Sequence, residues 1–406
     1  MSDPVDLAAA EARLKAREQF LALMSHEIRT PLNGVLGMAN LLASTDLSPT
    51  QRAYVGTLKE SGDHLLGLVN DLLDFAKLDA GAVDLEETEV DLERLLQGVC
   101  ELLSPRAHEK GVEIAWACAP GVARVIADDG RLRQILFNLA GNAVKFTDAG
   151  GVLLWAGTGP AADGRTVLTL EVRDTGPGIA AEAQARIFEE FQHARPGDGA
   201  RYGGAGLGLA IVRRLAEALG GAVAVTSSPP DGATFRFTVP LRVANVATAD
   251  IRLQGRAVAV ISASPIVYAA AARQIEASGG RSACGPTAAE ALLGAAADAA
   301  LVDGDLHGED APPPPDGLPA LVLLAPEQRG RIARYRRAGW AGYLIKPLRR
   351  ASLVDRVLAV LDQAAAPAAF EDERLALGVA PGVRVLLAED NPVNALLATA
   401  VLTREG

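Results

Sequence analysis

The sequence has little cysteine: Cys100, Cys118 and Cys284 are the three in 406 residues. They are isolated from one another and form no metal-ligand pair, so they read as buried thiols in a reducing compartment. Long apolar runs are lacking too. None reaches the length that spans a bilayer, and the charged, Ala-rich start from Met1 to Phe20 is unlike a signal peptide. No membrane insertion is expected, and a cytoplasmic location is. Positive charge is in short supply, with 39 Lys and Arg against 50 Asp and Glu and a formal net charge of -11. That balance argues against nucleic acid or an anionic membrane as the main partner. What is present is a globular composition, 49% hydrophobic and 22% charged, on a chain too long for one core.

Apolar periodicity divides the chain. Leu14, Leu21, Ile28, Val35 and Leu42 recur every seven residues, and Leu58, Leu65 and Leu72 repeat the spacing after a turn at 44–49. Two helices with such seams form an antiparallel hairpin over 11–80, and the seam is buried when two hairpins make a four-helix bundle. A homodimer is therefore expected. Over 84–243 helices and strands mix as in an α/β sandwich: Arg131–Val144 and Ala205–Leu219 read as helices, Thr166–Asp174 and Thr234–Val239 as strands. Over 251–363 five short apolar strands alternate with helices, which predicts a doubly wound parallel sheet. An Ala/Pro/Gly linker at 364–382 follows. Residues 383–406 read as one more strand and helix, the truncated start of a further domain.

The motifs carry the chemistry. Ser25-His26-Glu27-Ile28-Arg29-Thr30-Pro31-Leu32 lies on the first helix, with His26 and Thr30 on one face. An imidazole with one free nitrogen is a nucleophile for phosphorus, and an adjacent acid can orient it or take its proton. The segment resembles the phosphoacceptor box of the HisKA class of histidine kinases. That resemblance implies His26 as acceptor, Glu27 as assisting acid and Thr30 as the residue that helps water remove phosphate from a receiver. Four further segments follow in the order of that family. Asn138 and Asn142, four apart on a helix with Lys145 beyond them, resemble the N box, with Asn142 a candidate Mg²⁺ ligand. Asp174-Thr175-Gly176-Pro177-Gly178 resembles the adenine box, where a carboxylate accepts from the base and glycines admit the ring. Phe188-Glu189-Glu190-Phe191 resembles the aromatic box. Gly204, Gly206 and Gly208 precede a helix whose N-terminal amides suit phosphate oxygens. The resemblance implies a Bergerat-type ATPase fold, ATP and Mg²⁺ as cofactors, and a lid over 193–202.

The third domain resembles a receiver, with Asp303 at the acceptor position and Lys346-Pro347 after the last strand. Ser262-Ala263 stand where receivers carry a Mg²⁺-binding acidic pair, and Ala325 where they carry Ser or Thr. Without those carboxylates phosphoryl transfer loses its charge neutralisation. A pseudo-receiver is expected, with Asp303 unphosphorylated. Eight Lys and Arg concentrate between Pro326 and Arg350, interleaved with Tyr335, Trp340 and Tyr343. Such a patch suits phosphates and guanine. The segment Gly342–Arg349 resembles that of the ShkA-type hybrid kinases, whose pseudo-receiver binds cyclic di-GMP. The resemblance implies Arg329 and Arg349 as ligand-holding residues, Tyr343 as a stacking ring, and Ile345 and Pro347 as the floor. The acidic segment Phe370–Arg374 is a candidate plug for the same arginines. Val383–Asn394 resembles the opening of an intact receiver, with Glu389 and Asp390 as its acidic pair. The expected function is autophosphorylation of His26 and relay to a receiver aspartate or phosphotransfer protein outside this chain. A nucleotide-sensing scaffold or a phosphatase acting through Thr30 is the alternative.

Overall fold

The structure is a computed structural model and describes residues 27, 28, 30–43, 45–79, 85–121, 124–160, 166–192, 206–245, 250–292, 296–315, 317–361, 386–388, 395, 399 and 402. His26, Gly204, the lid stretch, the acidic segment Phe370–Arg374, Glu389 and Asp390 lie outside them. The chain divides into two compact units: Met1–Val83 with Pro196–Ile211 and Asp372–Gly406, and Asp84–Arg195 with Val212–Glu371.

In the first unit, α1 (30–43) and α2 (Pro49–Asp79) are the expected helical pair. Ser48 starts α2, its hydroxyl accepting from the Gln51 amide while the Gln51 side chain accepts from the Ser48 amide. These reciprocal bonds satisfy two amides that a helix start leaves open. The helices touch where Leu36 and Ala39 are buried, and a Cβ on Gly62 would come within 2.7 Å of Leu36. The heptad seam faces outward instead: Ile28, Val35, Leu42, Leu58, Leu65 and Leu72 are all exposed in the single chain. An apolar stripe of that kind is a surface waiting for a partner.

The second unit holds two sheets. The first runs β1 (Thr88–Val90), β3 (Arg124–Ala127), β7 (Ala233–Asn245), β5 (Thr166–Asp174), β4 (Gly151–Pro160), β2 (Glu113–Cys118), with β6 (Ala222–Ser227) pairing the first half of β7. Helices α3 (Leu92–Glu109) and α4 (Asp129–Phe146) supply apolar stripes such as Leu95, Leu96, Val99, Leu132, Leu136 and Leu139, all buried. Asp91 and Asp128 cap them through their side-chain oxygens. A short α5 (Ala181–Gln184) follows β5, and α6 (Gly208–Ala218) begins three residues later than the sequence suggested.

The second sheet is all parallel, in the order β12 (Gly342–Ile345), β11 (Ala320–Leu324), β10 (Ala299–Asp303), β8 (Ala257–Ile261), β9 (Arg281–Gly285). Five parallel strands are the number expected over 251–363. Helices α7 (Pro265–Ala277) and α10 (Arg350–Leu361) cover one face, around Val260, Leu301, Leu323 and Leu344. Short α8 (Ala288–Ala291) and α9 (Ile332–Arg337) lie along the other, around Ile261, Val322 and Tyr335. Pro312–Pro315 form no helix, as proline chemistry requires. The Trp340 indole N–H donates to the Pro312 carbonyl at 2.7 Å and packs that segment down.

Candidate active site

Helix α4 buries one face and turns Asn138 and Asn142, one turn apart and half-buried, toward the other. Lys145 follows, its ammonium 5.1 Å from the Phe146 ring centre. The C-terminal end of α4 is held by Lys110, which donates to the carbonyls of Val144, Lys145 and Thr147 at 2.7–2.9 Å. A cation there meets the negative end of the helix dipole and fixes the turn that carries Lys145. Sequence reading missed Lys110, because a lysine before a glycine carries no signal of which carbonyls it will reach.

Asp174 ends β5, 8% exposed. Its Oδ1 accepts from the amides of Gly176 at 2.9 Å and Ala233 at 3.2 Å, and among the described residues Oδ2 has no hydrogen bond. Burial raises its pKa above the usual carboxylate range, against the pull of those two amides. The glycines beside it are required by space. A Cβ on Gly176 would meet Asp174 Oδ1 at 3.0 Å and the Phe146 carbonyl at 3.3 Å, which places the end of β5 against the end of α4. Gly178 has φ +69° and no room for a side chain beside Pro229. At the same junction the buried Thr147 hydroxyl has no hydrogen-bond partner among the described residues. A carboxylate oxygen left open, an orphaned hydroxyl and a cradle that a Cβ would fill suit a flat base with an exocyclic amine. The donor set therefore fits adenine, and the Asn142 amide oxygen is of the type that suits a hard cation.

Phe188 packs edge-on to Phe235 at 6.3 Å, and Glu190 pairs with Arg214 at 3.0 Å. Phe191 is 62% exposed at φ 57°. Gly206 has φ +71° and Gly208 opens α6, the local shape expected of a phosphate-binding turn. On the hairpin, Glu27 and Thr30 are exposed. Thr30 and Pro31 join Val35, Met38 and Leu58 in lining an apolar groove of about 580 Å³.

Residues 16–81 match the His Kinase A (phospho-acceptor) domain, and residues 127–243 match the Histidine kinase-, DNA gyrase B-, and HSP90-like ATPase family. The solved structure of full-length ShkA in complex with AMPPNP is 56% identical, with a TM-score of 0.76 over 95% of this chain and 80% of that one. The chain belongs to the HisKA-class hybrid histidine kinases. A solved structure of the ShkA Rec1 domain in complex with c-di-GMP is 52% identical over 27% of this chain and 94% of that chain, with a TM-score of 0.25. The signal transduction histidine-protein kinase BarA of Shigella flexneri is 38% identical over 65% of this chain and 29% of its own length. The chain thus spans about a third or less of the curated relatives it matches. No helix among the described residues is long and apolar enough to cross a membrane.

In this histidine kinase the receiver-like domain keeps the acceptor aspartate but encloses it. Asp303 is 2% exposed. Its Oδ2 accepts from the Ser262 hydroxyl at 2.7 Å, and its Oδ1 from Lys346 Nζ at 3.1 Å and the Asp305 amide at 3.3 Å. Ser262, in place of an acidic residue, therefore binds the acceptor directly. The arginine-rich segment differs from its sequence reading in one respect. Tyr335, Trp340 and Tyr343 are buried at 0%, 3% and 2%, so the aromatics do not stand among the arginines as a surface. Tyr335 and Trp340 pack edge-on to each other, and the Tyr343 ring lies 4.6 Å from the Arg356 guanidinium. Periodicity over a short helix and strand could not separate inward rings from outward cations. Arg329 is exposed, Ile345 is 9% exposed, and Pro347 is half-buried. Arg349 is 2.7 Å from Glu101 of α3, and Arg350 is 2.8 Å from Glu93.

Proposed function

We propose that this chain moves the γ-phosphoryl group of ATP onto its own His26 and passes it to a receiver aspartate outside the chain. The observation that carries this reading is the half-open Asp174, with Oδ1 fixed by two amides and Oδ2 left for the adenine amine. Asn142 would give an amide oxygen to Mg²⁺, while Asn138 and Lys145 face the phosphates. Gly204, Gly206 and Gly208 bring helix N-terminal amides to the phosphate oxygens, and Phe188 flanks the nucleotide. An imidazole nitrogen of His26 attacks the γ-phosphorus, the bond to the bridging oxygen breaks, and ADP leaves. Glu27 takes the imidazole proton. Thr30 helps a water remove phosphate from the receiver. Two chains pair along the exposed seam, whose six described positions supply an apolar stripe of the right period.

The receiver-like domain is the regulatory part of this proposal. The saturation of Asp303 supports a role other than phosphate acceptor. Its ligand is cyclic di-GMP, held by Arg329 and Arg349 over Ile345 and Pro347. Stacking on Tyr343 requires that its ring be uncovered, so ligand binding and the present packing exclude one another. The acidic segment Phe370–Arg374 competes for the same arginines.

Radiolabelled ATP tests the reading. The wild-type chain should become labelled, His26→Ala should not, and cyclic di-GMP should change the wild-type rate. Label retained by His26→Ala would exclude the acceptor, and a ligand-blind wild type would exclude the regulator.

A further inference from the structure

The two α/β domains of the second unit are docked, and the contact is built like an interior. Edge strand β2 lies under α7: Ala115 and Leu153 of the ATP domain form one buried cluster with Ile266 and Ala270 of the receiver-like domain. Gln274, 1% exposed, donates to the Trp116 carbonyl at 2.8 Å and to the Leu348 carbonyl at 3.2 Å, one in each domain. Burying an exposed sheet edge in this way removes an aggregation-prone surface, but it gives no reason for charges at the centre.

Charges are nevertheless there. Glu113, the first residue of β2, extends its carboxylate to Lys346 Nζ at 2.5 Å, across 233 residues of sequence. The Lys346 and Asp303 side chains are each 3% exposed and Glu113 is 18% exposed. Asp305 completes the set at 2.7 Å from the same ammonium. Burial alone would lower the Lys346 pKa, yet Glu113, Asp303 and Asp305 together raise it. Burial likewise pushes Glu113 up, against Lys346.

In a receiver, the lysine after the last strand contacts the phosphoryl group carried by the aspartate at the end of the third. Here that lysine contacts a carboxylate of another domain. We propose that the former acceptor site is an interdomain socket, with Glu113 of the ATP domain as the fixed anion that fills it. The socket is directional. Without Glu113 the ammonium keeps Asp303 and Asp305 within its own domain, so the receiver-like domain stays folded and is released. Without Lys346 three carboxylates face one another, which opposes both docking and folding. Arg349 to Glu101 and Arg350 to Glu93 flank the socket at the surface, where solvent screens them and they contribute less.

Hydrogen exchange on the full chain tests it. Glu113→Gln, which removes the charge and keeps the shape, should speed exchange at least tenfold in Ala115–Cys118 and in α7. The core strands β10 and β11 should keep wild-type protection. Glu113→Asp, which keeps the charge but shortens the reach, should fall between the two. Unchanged exchange in both variants, or loss of protection spread evenly through the receiver-like domain, overturns the socket. If Glu113→Gln fails to fold, the outcome rests on Glu113→Asp, and wild-type exchange in that variant rejects the proposal.

Discussion

Two aspartates at the ends of two strands make the instructive comparison in this molecule. Asp174 and Asp303 are both buried, and each follows an apolar strand inside an α/β domain. Around Asp174, backbone amides take one oxygen, glycines remove side-chain bulk, and the second oxygen stays open among the described residues. Around Asp303, a hydroxyl, an ammonium and an amide occupy both oxygens. Residue type and position in the strand are shared. What differs is whether the neighbours leave an acceptor unspent, and on that difference rests our proposal of a nucleotide site at one and a structural role at the other.

The largest expected effect breaks the first half of that comparison. Asp174→Asn should weaken nucleotide binding by about 100-fold, the scale of losing a hydrogen bond to a charged acceptor. Asp303→Asn should leave nucleotide affinity within about twofold, and titration calorimetry on both variants checks the contrast. Next in size, Lys346→Met leaves Glu113, Asp303 and Asp305 without their cation. Breaking a buried pair in this way costs about 3–5 kcal/mol, a fall in Tm of roughly 6–20 °C by calorimetry. A Tm within about 2 °C of wild type would show that the cluster is not held by charge.

A smaller effect joins the docking contact to the ligand. If cyclic di-GMP needs Arg349 free of Glu101, then Glu101→Gln should tighten its apparent affinity about tenfold, since a competing internal partner lowers the competent fraction. Equal affinities would separate the two roles of Arg349. The smallest effect is in pH. Burial pushes the His108 pKa below the usual imidazole value, with Lys346 adding to it and Glu327 and Asp305 opposing. Among the described residues neither ring nitrogen has a hydrogen-bond partner, and Glu327 of the receiver-like domain lies 3.7 Å away. If docking supplies that burial, the docked form binds the proton less readily than the released form. Docking is undisturbed above about pH 6.5 and weakens as pH falls through the depressed value. Small-angle scattering should show the chain expanding over that range, and His108→Phe should flatten the response. His307, lowered likewise by burial and then by Arg331, lies within the receiver-like domain and should affect its stability rather than its docking.

Much of this was legible in the sequence where the chemistry is local. The asparagine pair on α4, the Asp174 loop and its glycines, and the five parallel strands each occupy a short run with a recognisable period or turn. The absence of an acidic pair at Ser262-Ala263 could be read as lost chemistry, and the structure adds that Ser262 binds Asp303 outright. The docking contact was not legible. Glu93, Glu101 and Glu113 look like ordinary solvated charges on a helix and a strand, and nothing in their spacing points to Arg350, Arg349 and Lys346 more than 200 residues away. Tyr343 also escaped, because alternation over a four-residue strand cannot tell a ligand-facing ring from one that is covered.

The most direct test of the central claim is a map of where phosphate resides after the full chain is incubated with radiolabelled ATP. The account predicts a single acid-labile, alkali-stable label on the peptide containing His26, and none on the peptide containing Asp303. A hydroxylamine-sensitive label on Asp303, or a labelled chain with no phosphate at His26, would contradict it.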